Sequence, residues 1–96
     1  MRLTNSEFEI IKSSLLAHSE SGLIYLHGSR IDDSAKGGDI DLFFIVEDSV
    51  FDKLNKLYIQ AELSRKLNEQ RVDLLILSKT DSESHDFYSN SEKKRL

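Results

Sequence analysis

The chain has 96 residues, 39% of them hydrophobic and 31% charged, with a net charge of -4; this is the size and composition of one globular domain, residues 1–96, with a core of limited extent. It contains no cysteine, which excludes disulfides and thiolate metal sites, and no run approaches the roughly 18 apolar residues of a membrane helix. The start MRLTNSEFEI lacks the apolar region of a secretory signal, so a cytoplasmic location is expected, and 17 acidic against 13 basic residues disfavours direct nucleic-acid binding.

Thr4, Asn5, Ser6 and Glu7 have the pattern of a capping box, in which the Thr4 hydroxyl accepts from the third helical N–H and Glu7 reaches back. Phe8, Ile11, Leu15 and Leu16 then recur on one helical face, predicting an amphipathic helix over 5–19. Gly22 suits the left-handed conformation that ends helices. LIYLH, 23–27, is short, apolar and β-prone, and predicts a strand.

Residues 28–38 read as a polar loop, or a loop with one helical turn. DIDLFFIV, 39–46, predicts a second strand, too apolar after Asp41 to be exposed on either face. A further helix is expected from Ser49 to about residue 68, with Phe51, Leu54, Tyr58 and Ala61 on its apolar face. RVDLLIL, 71–77, predicts a third strand. The polar remainder, 80–96, fits a short terminal helix packing Phe87 or a frayed tail. Strands alternating with helices predict an α/β architecture, one small sheet covered by helices. The second helix could cross between parallel neighbours.

Two carboxylates stand against the second strand's apolar run. Successive strand side chains alternate faces, so Asp39 and Asp41 project from the same one, with Cα atoms about 6.6 Å apart, two rises of about 3.3 Å. Carboxylates at that spacing can converge on one cation or on two, and without a counter-charge they repel. Magnesium removes that conflict and takes carboxylate, water and phosphate oxygens. Asp73 begins the third strand in the same manner. If the two strands are neighbours, it approaches the pair across the sheet, to complete a metal's coordination or to take a proton from an attacking hydroxyl.

Gly28 and Ser29 offer what a triphosphate requires: close backbone N–H approach and a hydroxyl donor. Arg30 could reach a phosphate, and so could Lys36 from across the loop. Gly37 and Gly38 would let the chain turn tightly into the strand. His27 is expected at the edge of the core, outside catalysis, and His18 and His85 at the surface.

The stretch GSRIDDSAKGGDIDLFFIV, with Asp73 on a later strand, resembles the signature of minimal nucleotidyltransferases, small relatives within the DNA polymerase β-like superfamily. The resemblance covers roughly residues 5–77. It implies a nucleotidyltransferase fold, a mixed sheet flanked by helices, and transfer of a nucleoside monophosphate from ATP or another NTP with two magnesium ions. By position, Asp39 and Asp41 would hold both metals, and Asp73 would bind the catalytic metal and help activate the acceptor. Gly28 and Ser29 would hold the triphosphate. Many small members accompany a helical HEPN-type protein in a toxin–antitoxin-like pair, and some add AMP to a tyrosine of that partner. Such a partner and an antitoxin role are therefore expected; the alternative is a catalytically weak or inactive module that neutralises its partner by binding. This chain has Gly38 where many relatives have serine, and His27 where an aromatic often precedes Gly-Ser.

Overall fold

The computed structural model describes residues 1–32 and 38–96; the expectations for Lys36 and Gly37 lie outside the described residues. Helix α1 spans Asn5–Leu16. The capping box that starts it is complete: Glu7 N donates to Thr4 Oγ1 at 3.0 Å, and Thr4 N donates to Glu7 Oε1 at 2.9 Å. The helix stops three residues earlier than its pattern implied, as the chain tightens into turns in which His18 N donates to Leu15 O at 3.0 Å and Gly22 N to Ser19 O at 3.0 Å. Gly22 is not among the positive-φ residues, so its expected left-handed role is not what glycine serves here. A side chain at that position would collide with the Phe44 ring.

Strand β1 is Leu23–His27 and β2 is Ile40–Val46, as their apolar runs predicted. Between them, Gly28–Ile31 forms one 3-10 turn. The expected long second helix is two helices, α2 at Asp48–Phe51 and α3 at Lys56–Lys66. Asn55 restarts it by accepting from Tyr58 N at 3.0 Å, as N-cap side chains do. That restart changes the phase of the buried face. Ile59, Leu63 and Leu67 are buried, whereas Tyr58 is 60% exposed and Ala61 also faces out; Phe51 and Leu54 do pack against the core.

Strand β3 is Val72–Ser78. The polar C-terminal segment is ordered into α4 at Lys79–Ser82, α5 at Asp86–Asn90 and a strand β4 at Lys93–Arg95. This strand was not anticipated, because nothing in KKR marks it locally; its pairing with β1 makes it one. The sheet order is β3-β2-β1-β4. Strands β1 and β2 are antiparallel, as are β1 and β4, and β2 and β3 are parallel, with α2 and α3 forming the crossover that a parallel pair requires.

Alternation along the strands divides the side chains between two faces. Ile24, Leu26, Ile40, Leu42, Phe44, Val46, Val72, Leu74 and Ile76 pack with Ile11 and Leu15 of α1 and Ile59 and Leu63 of α3. The opposite face holds a smaller cluster of Phe43, Ile45 and Leu77, joined by Tyr25, Leu75 and Tyr88. Hence β2 is buried on both faces, as its unbroken apolar run required. The outer edge of β3 is partly closed, since Gln60 Oε1 accepts from Leu74 N at 2.9 Å. Among the described residues, no helix is long and apolar enough to cross a membrane.

Candidate active site

The thinly covered face carries the polar residues. In the register of the sheet, Lys93 pairs with His27, His27 with Asp41, and Asp41 with Asp73. Laterally paired residues share a face, so these four side chains form one row across β4, β1, β2 and β3 at the end where β1 finishes and β2 and β3 begin. The expected sideways approach of Asp73 is thereby realised as direct opposition to Asp41.

Asp39 is placed differently. Its Oδ2 lies 3.4 Å from Arg71 Nε, in an exposed pair at the edge of the row. Exposed ion pairs contribute about 0–1 kcal/mol, so this contact holds Asp39 only weakly. Among the described residues, no three His, Cys, Asp or Glu side chains already converge as a ready-made metal cluster. The fold thus brings Asp41 and Asp73 together and leaves Asp39 turned toward Arg71.

Burial pushes the Asp41 carboxyl above its ordinary value; His27 opposes the rise, and the neighbouring Asp73 and Asp39 charges add to it. The His27 ring stacks on Phe43 with centroids 3.9 Å apart and planes 14° from parallel. Burial lowers its pKa, with the Asp41 and Asp73 carboxylates pulling it upward and Lys93 pushing it further down. Charge on Asp41 is therefore less favourable here than in water. A divalent cation fits this donor set: oxygen ligands on adjacent strands, whose mutual repulsion it would relieve.

The turn after β1 is built around glycine. Gly28 has φ +76°, and a Cβ there would collide with the Asp41 carboxylate; Gly38 has φ +93°, and a Cβ there would collide with the Ser29 hydroxyl. Gly38 thus takes a backbone conformation that glycine permits, and any side chain in its place would press on Ser29. Gly28 and Ser29 are exposed at the same end of the sheet as the carboxylates.

Arg30 is turned inward. Its guanidinium donates to Arg2 O at 3.0 Å and Gly38 O at 3.3 Å, and lies 3.8 Å from Glu7 Oε1. These contacts tie the start of the loop to its end at Gly38 and to the N-terminal segment. Arg2, which the sequence did not single out, donates to Ser29 O at 3.2 Å and Asp32 O at 3.0 Å, so both arginines brace the turn.

Two more residues come to the row from a distance. A cleft of about 200 Å³ beside Asp73 is lined by His27, Lys56, Leu74, Leu75 and Phe87. Lys56 begins α3 and Phe87 lies on α5. Neither has a local motif that could have assigned it to this place.

Residues 9–94 match the family model described as polymerase beta, nucleotidyltransferase. No curated protein matches the chain. Among solved structures, the chain resembles a protein considered a nucleotidyltransferase, with a TM-score of 0.65, 24% identity, and coverage of 95% of this chain and 98% of that one. It also resembles a protein from Sulfolobus solfataricus considered a nucleotidyltransferase, with a TM-score of 0.50, 18% identity, and coverage of 99% and 89%. At those identities the likeness is one of fold, the small mixed sheet flanked by helices. With the family match extending over nearly its whole length, the chain belongs to the polymerase beta nucleotidyltransferase family.

Proposed function

We propose that this chain is a magnesium-dependent nucleotidyltransferase of the minimal type, which moves AMP from ATP to a hydroxyl on a helical HEPN-type partner protein and so acts as an antitoxin. The observation that carries the catalytic reading is the opposition of Asp41 and Asp73 on parallel strands, at the same end of the sheet as the Gly28–Ser29 turn. The partner and the antitoxin role rest on the resemblance of the motif.

Magnesium bound by Asp39, Asp41 and Asp73 would neutralise the triphosphate and the charge that develops on transfer. Gly28 presents backbone without a side chain, and Ser29 adds a hydroxyl, so this turn would cradle the phosphates. Asp73, the outermost and most exposed carboxylate of the row, would accept the proton of the attacking hydroxyl. The new bond joins that oxygen to the α-phosphorus, and the bond to pyrophosphate breaks. Arg2 and Arg30 would hold the turn in shape from behind. Most of the acceleration would come from positioning and charge neutralisation.

The test is incubation of the chain with labelled ATP and magnesium, with and without the product of its neighbouring gene. Label should appear on the partner and vanish with Asp41→Asn. Absence of transfer to any acceptor would sink the catalytic reading.

The pairing of Asp39 with Arg71 favours a second reading, a module that neutralises its partner by binding alone. That reading requires Asp39→Asn/Asp41→Asn to protect as well as the unaltered chain. Lost protection with unchanged partner binding would exclude it.

A further inference from the structure

The C-terminal segment carries a feature that nucleotide transfer by the carboxylates does not itself require. Helix α5 is anchored by Tyr88, whose ring lies edge-on to Phe43 at 5.0 Å and to Tyr25 at 5.8 Å, while Lys93 Nζ sits 4.4 Å above it. With Tyr88 fixed, the preceding residue is directed over the site. Phe87 meets His27 edge-on at 5.7 Å and Phe43 at 5.6 Å, yet 57% of it stays exposed. Large aromatic rings contribute most when covered. This one is left half open at the mouth of the cleft beside Asp73.

We propose that Phe87 is the stacking platform for the nucleobase of the bound NTP, with Lys56 at the rim. The inference rests on the nucleotidyltransferase reading and adds a base subsite within this chain. Three observations favour a base as occupant. The cleft holds about 200 Å³, less than the ~300–1,000 Å³ typical of whole drug-sized ligands, which suits one ring system rather than a whole nucleotide. Its lining combines apolar Leu74, Leu75 and Phe87 with polar His27, Lys56 and Asp73, as a flat ring with polar edges requires. It also adjoins the row of carboxylates, so a nucleotide with its phosphates at Gly28 and Ser29 would have its base on this side. The Lys56 ammonium has only donors to offer, which matches the ring nitrogens and carbonyl oxygens of a base.

The test compares two probes, ATP and inorganic tripolyphosphate, each titrated with magnesium into the full chain by calorimetry. The unaltered chain should bind ATP more tightly than tripolyphosphate. Phe87→Ala should weaken ATP about tenfold or more, the scale of a lost base–aromatic stack, and leave tripolyphosphate within about twofold. Phe87→Tyr should restore ATP binding. Leu57→Ala, which removes another exposed apolar side chain outside the cleft lining, should change neither. Equal binding of the two probes by the unaltered chain, or an equal loss of both in Phe87→Ala, would overturn the base subsite while leaving the phosphate site standing. Binding of neither probe by the unaltered chain would overturn the nucleotide reading and the subsite with it.

Discussion

Gly28 lies so close against the Asp41 carboxylate that no Cβ fits between them. The phosphate-type turn and the carboxylate row are therefore one packed unit: the turn can approach Asp41 because it presents bare backbone there. Gly38 repeats the device against Ser29.

Gly28→Ala should destabilise the fold. At φ +76° an L-residue costs roughly 1–2 kcal/mol, and the collision with Asp41 adds to it. Urea unfolding measures the loss. In an Asp41→Gly background the same substitution should cost less, because only the backbone strain remains; the double-mutant cycle isolates the contact.

Asp41→Asn should separate stability from activity. The Asp41 pKa is raised in the folded chain, so folding favours the protonated form, and stability is lost as pH rises from below the ordinary value of 3.8 through the higher folded value. The amide cannot ionise, so its melting temperature at pH 7 should equal or exceed that of the unaltered chain. Added magnesium should raise the melting temperature of the unaltered chain, as any ligand of the native state does, and have little effect on the variant. A magnesium response in Asp41→Asn as large as that of the parent would argue against Asp41 as a ligand.

The revised face of α3 can be checked by two truncations. Leu63 is fully buried and Tyr58 is 60% exposed. Leu63→Ala should cost about 2–4 kcal/mol, and Tyr58→Ala no more than about 0.5 kcal/mol, both read from denaturant midpoints.

Asp48 links the start of α2 to the start of α4. It accepts from the Thr80 hydroxyl and, at 3.1 Å, from Thr80 N. Those bonds, the hydroxyl's foremost, hold its pKa below 3.8. The stabilisation is present above that value and lost as pH falls through the lower folded one. Asp48→Asn should therefore melt lower than the parent at pH 7, and the gap should close in acid. Parallel melting curves across pH 2–7 would contradict the assignment.

What was legible in the sequence is what short-range physics controls. The capping box at Thr4 and Glu7 and the apolar runs of β1, β2 and β3 all follow from neighbours a few residues apart. The Gly-Ser and D-x-D pattern also sufficed to indicate the family. The break at Asn55 could have been suspected from its capping side chain, but the continuing apolar residues on either side masked it. The tertiary structure alone decided the rest, because each remaining feature is a contact between distant parts of the chain. Strand register places Asp41 opposite Asp73, whereas a one-residue slip would have put them on opposite faces. The N-terminal segment draws Arg30 inward, through Arg2 O and Glu7, and Arg71 draws Asp39 aside. Pairing of β1 with KKR turns a polar tail into a strand, and the anchoring of Tyr88 carries Phe87 over the site. No local pattern encodes such placements, since their energy comes from partners that only the folded sheet brings within reach.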